Sequence, residues 1–134
     1  PHQDNMYWNF TGSGLTMWIA LDGANKSNGA VYYYAKSHVP GKTLEHKPTY
    51  SAGSSQSIKN LKLLKKYSKI TPVLKPGDAL IHDSYVIHGS KKNNDKKNRT
   101  GLVLRFVAKS NKIDTNLRKK YKNNLDKQIE LILR

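Results

Sequence analysis

Cysteine is absent from the chain. Disulfides, thiolate metal centres and cysteine nucleophiles are therefore excluded. No apolar run reaches the roughly 18 residues a membrane-spanning helix needs, so no span is expected. No signal peptide is visible, and a cytoplasmic location is the expectation from that absence. The chain opens on Pro1 rather than Met, so it is expected to start inside a longer protein. Acidic residues are few: 9 Asp and Glu stand against 24 Lys and Arg, a formal net charge of +15. Such a field favours anionic partners. Most of the excess is Lys interspersed with Asn, as in residues 91–97 and 118–127, which is the pattern of a solvated surface. Arg occurs only at positions 99, 105, 118 and 134. Readers of nucleic acid lean on Arg, so its scarcity makes a nucleic-acid partner the weaker expectation.

At 134 residues the chain is sized for one domain with a modest core. Residues 15–22 alternate, with Leu15, Met17, Ile19 and Leu21 on one face and Thr16, Trp18 and Ala20 on the other. Apolar residues on both faces predict a strand buried on both sides. Further strands are expected at 30–35, 70–74, 79–81, 85–88 and 101–108. A long polar loop is expected at 37–57 and a short basic helix or loop at 58–67. From Asp114 the period becomes helical, through Leu117, Tyr121, Leu125, Ile129 and Ile132, with Asp114 or Thr115 as the N-cap. Short strands with turn signals between them suggest an antiparallel sandwich or barrel, and a jelly roll fits.

Two polar clusters stand out against this apolar pattern. His2-Gln3-Asp4 reads as the end of a strand, where residues two apart share one face. His88 ends an apolar run, and Arg99 opens the next. Two imidazoles and one carboxylate can occupy one face of an octahedral metal and leave three positions open, the habit of non-haem Fe(II) oxygenases. His82 shares parity with His88 and competes with it as a ligand. Arg105 shares parity with Arg99. His38 and His46 read as surface or loop-tethering residues, and Tyr32 to Tyr34 as sheet packing.

Three segments together resemble the phytanoyl-CoA dioxygenases, a family of Fe(II)/2-oxoglutarate oxygenases, over about residues 2 to 108. They are HQD at the start, LTMWIALDGANKSNGAVYYYAKSH, and LKPGDALIHDSYVIHGSKKNNDKKNRTGLVLRF. The resemblance implies a mainly β, double-stranded β-helix (a cupin-like jelly-roll barrel) lacking its first strand and N-terminal helices. The oxygenase domain would cover 1–110, with a C-terminal helix at 111–134 packing on it. The resemblance further implies that His2, Asp4 and His88 ligate Fe(II) and that Arg99 grips the distal carboxylate of 2-oxoglutarate. Ser90 would add a hydroxyl to that carboxylate. Trp18, with Thr16 beside it, would line the co-substrate pocket, and Trp8 would lie near the substrate. The implied reaction consumes O2 and 2-oxoglutarate, hydroxylates an aliphatic C–H of a small-molecule or acyl-type substrate, and releases succinate and CO2. Related halogenases have a small residue in place of the carboxylate ligand, so Asp4 points to hydroxylation. Where the family turn reads PGSH, this chain has Ala35 and Lys36, which leaves that turn open. Two rival readings remain: a nucleic-acid oxidative dealkylase, which the Arg99/Arg105 pair resembles, and a non-catalytic basic jelly-roll binding module.

Overall fold

The computed structural model describes residues 1–50 and 54–133. In chain order the elements are α1 (Asn5–Trp8), β1 (Gly14–Ala20), β2 (Tyr32–Tyr34), β3 (His46–Pro48), β4 (Gln56–Ile58), a 3-10 helix (Leu61–Lys66), β5 (Lys69–Ile70), β6 (Ala79–Asp83), β7 (His88–Gly89), β8 (Gly101–Val107) and α2 (Thr115–Ile132). The protein is mainly β, with small antiparallel sheets ordered β6-β1-β8, β5-β2-β7 and β3-β4. The two three-stranded sheets meet at Tyr33 on β2 and His82 on β6, whose ring centroids are 5.1 Å apart. They do not close into a barrel among the described residues.

β1 forms where the alternation predicts, but only one of its faces is covered. Thr16, Trp18 and Ala20 turn inward and are buried. In the register, Leu15 sits between Asp83 and Phe106, and Met17 between Ile81 and Leu104. On this outer face Leu15, Ile81 and Phe106 are 46%, 56% and 51% exposed. The expectation of burial on both sides is thus corrected. Alternation shows which side chains share a face, but not whether another element lies on it.

Other boundaries differ for local reasons. The strand expected at 70–74 is only Lys69–Ile70. Pro72 cannot donate to a ladder, and Leu74 returns as a bridge that exchanges two 2.8 Å hydrogen bonds with Ala24. The strand expected at 85–88 is His88–Gly89. Ahead of it, Tyr85 and Val86 donate back to Asp83 and make a turn. The polar segment 37–57 contains the β3–β4 hairpin; its residues 51–53 lie outside those described. The turn after β2 persists without its Gly. Lys36 takes a φ of 61°, the left-handed region that glycine enters most cheaply. The buried Ser37 follows, and its hydroxyl accepts from the Ile87 N–H.

A cluster of Trp18, Ala20, Ala24 and Ala30, with Leu74, fills the space between the sheets. A second cluster, Ile58, Leu64 and Ile87, lies under the hairpin and the 3-10 helix. α2 begins as read, with the Asp114 carboxylate accepting from the Leu117 N–H. It docks largely through polar side chains. Asn124 donates to the His46 carbonyl at 3.0 Å and Gln128 to the Thr49 carbonyl at 2.7 Å, while Tyr121 meets Tyr7 of α1. Ile129 and Ile132 stay exposed at its far end. No helix among the described residues is long and apolar enough to cross a membrane.

Candidate metal centre

Gln3 is fully buried and fastens the start of the chain. Its side-chain amide donates to the Lys42 and Tyr85 carbonyls and accepts from the Leu44 N–H. Its backbone N–H donates to His46 Nε2, whose other ring nitrogen meets the Leu44 carbonyl. His46 is therefore a buried tether, as one of its two sequence readings held. On one side of Gln3, His2 exchanges backbone hydrogen bonds of 2.8 and 3.0 Å with His88. On the other, Asp4 leaves the extended conformation at φ −61°, ψ −33° and starts α1. His2 and Asp4 do converge, but through a turn and not through strand parity.

The two imidazoles and the carboxylate offer three ligand atoms that all lie within 4.8 Å of one another. Asp4 Oδ1 is 3.8 Å from His2 Nε2 and 3.6 Å from His88 Nε2. His88 Nδ1 lies 3.0 Å from the Val86 carbonyl. A carbonyl only accepts, so Nδ1 carries the proton, and a neutral ring then presents a lone pair at Nε2. That lone pair faces carboxylate oxygen, an arrangement that calls for a shared cation.

The electrostatics agree. Burial, reinforced by the neighbouring His88, lowers His2 to about 3. Burial likewise lowers His88, against the pull of Asp4. For Asp4, burial works to raise the carboxyl. The nearby His82 and His88 rings and the Thr16 hydroxyl outweigh it and hold the group below the usual carboxylate range. Two neutral imidazoles and an ionised carboxylate form a donor set ready for a divalent ion without loss of protons.

The second oxygen of Asp4 is held from β1 and β6. Thr16 Oγ1 donates to Asp4 Oδ2 at 2.5 Å, and His82 Nε2 lies 3.4 Å from the same atom. His82 is buried, and neither of its ring nitrogens has a hydrogen-bond partner among the described residues, so the ring abuts the carboxylate without hydrogen-bond alignment. Thr16 pairs with His82 on one side and Arg105 on the other, placing the three in one row across the sheet. His82 lies outside the group of three ligand atoms and contacts the carboxylate from behind.

Arg99 is half-buried, with its guanidinium 5.8 Å from the centroid of the buried Trp18 ring. Gly101 permits this packing, since a Cβ there would sit 2.2 Å from Trp18. Arg105 follows on the same face of β8 and is exposed. Ser90 is exposed just past the end of β7. Trp8 lies on α1 and packs over Gly14, with its indole N–H buried and without a partner among the described residues. Tyr33, read as sheet packing, stacks on His88 at 5.8 Å. Burial and the Asp4 charge raise its hydroxyl pKa, so it stays a neutral phenol at the wall of the site. Alternation within β2 carried that signal, because Tyr33 alone of the three tyrosines shares the inward face.

The sequence profile described as phytanoyl-CoA dioxygenase (PhyH) matches residues 1–101. No curated protein matches the chain. Among solved structures, EvdO2 from Micromonospora carbonacea var. aurantiaca complexed with 2-oxoglutarate superposes with a TM-score of 0.68 at 25% identity, over 84% of this chain and 45% of that one. The non-heme alpha ketoglutarate dependent epimerase SnoN from nogalamycin biosynthesis gives 0.63 at 18%, over 84% of this chain and 39% of that one. The non-heme monooxygenase ThoJ gives 0.68 at 14%, over 96% of this chain and 58% of that one. The chain thus spans about half the length of these proteins, or less.

Proposed function

Because the chain belongs to the phytanoyl-CoA dioxygenase family, we propose that it forms the core of a non-haem Fe(II) and 2-oxoglutarate-dependent dioxygenase. It would hydroxylate an aliphatic C–H of a small-molecule or acyl-type substrate. The observation that carries this reading is the His88 ring, whose lone pair faces an ionised carboxylate across 3.6 Å in a buried setting. The 2-oxoglutarate complex of EvdO2 and the SnoN complex with Fe3+ and alpha ketoglutarate support it by analogy.

On this reading His2, Asp4 and His88 hold the ion. Thr16 and His82 steady the rear oxygen of Asp4, so that Oδ1 is the atom left to coordinate. Arg99, braced on Trp18, grips the far carboxylate of 2-oxoglutarate through the paired hydrogen bonds that a planar guanidinium offers. Ser90 adds a hydroxyl there, and Trp8 borders the substrate. The bound ion would supply oxygen activation coupled to conversion of 2-oxoglutarate to succinate and CO2. Tyr33, stacked on His88, keeps bulk water from that imidazole face. The order of the two sheets and the solved relatives support a double-stranded β-helix, with residues 1–110 as the oxygenase domain and 111–134 as a helix docked on it.

Anaerobic titration with Fe(II) and then 2-oxoglutarate tests the proposal. A weak visible charge-transfer band that saturates at one equivalent of each supports it. A protein that takes up neither iron nor 2-oxoglutarate overturns it in favour of a non-catalytic binding module. Since the relative SnoN is an epimerase, product analysis with an accepted substrate separates oxygen insertion from inversion.

A further inference from the structure

A cavity of about 560 Å³ opens on the β5-β2-β7 sheet, lined by Lys26, Lys69 and Lys91 together with Tyr32, Gly29 and Thr71. It lies on the face of that sheet opposite the metal centre. Successive strand residues face opposite ways, and Tyr33 stacks on His88. Tyr32 therefore points away, over Gly89, where a Cβ would come within 2.8 Å of its hydroxyl.

The three ammonium groups come from three separate segments that other contacts hold together. Lys26 sits in a turn fastened by Asn25 and Asn28, the latter donating to the Gly23 and Asn98 carbonyls. The same turn is joined to the segment after β7 by Ser27 Oγ to Asp95 at 2.8 Å and by Asn94 N–H to the Ser27 carbonyl at 3.1 Å. Gly29, at φ +77°, lets the two segments close up, since a Cβ there would meet the Lys91 carbonyl at 2.6 Å. From β5, Lys69 places its Nζ 3.5 Å from the Tyr32 ring centroid, a cation–π contact that seats the charge in the cavity.

No carboxylate lines this cavity, and none of the three lysines is in an ion pair among the described residues. Partial burial, reinforced by the neighbouring Lys91 charge, lowers the pKa of Lys69. The three lysines are exposed, and they line one concavity together. The volume falls in the range of small-ligand pockets, about 300–1,000 Å³. Compact ammonium groups act as point charges toward phosphate, and the Thr71 hydroxyl adds a further polar group.

We propose that this cavity is a second binding site, separate from the metal centre, for a small phosphorylated ligand whose phosphate or diphosphate group is held by Lys26, Lys69 and Lys91. The inference does not depend on the oxygenase reading.

Inorganic pyrophosphate and orthophosphate are the probes, titrated calorimetrically against the protein. The pocket variant is K26Q/K69Q/K91Q. A control of equal net charge, K109Q/K112Q/K122Q, alters exposed lysines elsewhere. The site predicts saturable binding of pyrophosphate, tighter than that of orthophosphate. It also predicts at least about tenfold weaker binding in the pocket variant and little change in the control, because close charges act far more strongly than distant, screened ones. Equal weakening in both variants, or no saturable binding to the native protein, overturns the proposal. K69R keeps the charge and the aromatic contact and retains binding if the site is real; a loss as large as in the triple variant counts against it. The iron and 2-oxoglutarate band serves as the independent readout. It stays unchanged in the pocket variant, and its loss there overturns the separateness of the two sites.

Discussion

His88 turns Nε2 toward Asp4 Oδ1 across 3.6 Å while its Nδ1 is committed to the Val86 carbonyl. That pairing leaves one carboxylate oxygen as the anionic ligand of the site. Asp4→Gly removes it, and iron affinity is expected to fall by at least about 100-fold, beyond the 10–100-fold typical of outer-shell changes. Equilibrium dialysis with Fe(II) under anaerobic conditions measures this, and unchanged occupancy rules Asp4 out as a ligand.

Behind Asp4, Thr16 and His82 hold Oδ2. Thr16→Val deletes the hydroxyl at nearly constant volume, and His82→Ala deletes the ring. Each is expected to weaken metal binding by about 10–100-fold while the protein remains folded. Circular dichroism beside a metal titration separates this effect from unfolding. If either variant binds iron as the native protein does, that residue does not orient the carboxylate.

Two guanidiniums share the inward face of β8 and its approach. Arg99 rests on Trp18, whereas Arg105 is exposed beside Thr16. Arg99→Gln is expected to weaken 2-oxoglutarate binding by about 1.5–3 kcal/mol, the scale of a charged hydrogen bond, with iron uptake unaltered. Arg105→Gln should change it much less. The reverse result would move the clamp to Arg105.

Burial lowers His46 from its ordinary value near 6.5 to about 4. The folded protein keeps this ring neutral where the unfolded chain takes up a proton. Stability attributable to His46 is therefore complete above pH 6.5 and declines as the pH falls from there toward 4, with a slope of at most about 1.4 kcal/mol per pH unit. Urea midpoints across that range should drop less steeply in His46→Gln, whose amide oxygen can still accept from Gln3. Identical slopes would show that His46 is not the group responsible.

Lys36 carries a φ of 61° at the turn after β2. Lys36→Gly relieves that conformation and should raise stability by up to about 1 kcal/mol, less whatever glycine adds to the freedom of the unfolded chain. A lowered melting temperature would mean that the Lys36 side chain contributes more than its backbone costs.

Much of the scaffold is legible in the residues themselves. The alternation in β1, the apolar run of β8 and the Asp114 cap of α2 each announce an element, because each depends on neighbours in sequence. The meeting of His2, Asp4 and His88 is legible as well, through residue type and order. How they meet is not. His-x-Asp reads as strand parity, yet Gln3 is gripped by three distant backbone groups and Asp4 turns into a helix. Such long-range hydrogen bonds leave no local pattern. The same holds for His82, whose contact with Asp4 follows from the β1–β6 register, and for Tyr33, which differs from Tyr32 and Tyr34 only in the side of the strand it occupies. The hairpin inside the polar segment leaves no such pattern, because its strands are three residues each and, Ile58 apart, carry polar residues or proline.

The backbone exchange between His2 and His88 joins two points remote in the chain by only two hydrogen bonds. An ion held by both rings and by Asp4 would rivet the first residues to β7 from the side-chain direction as well. Folding and loading would then be coupled, each making the other more favourable. Residues 2–4 and β7 would be latched from two directions with the ion seated, and by backbone and Gln3 contacts alone without it.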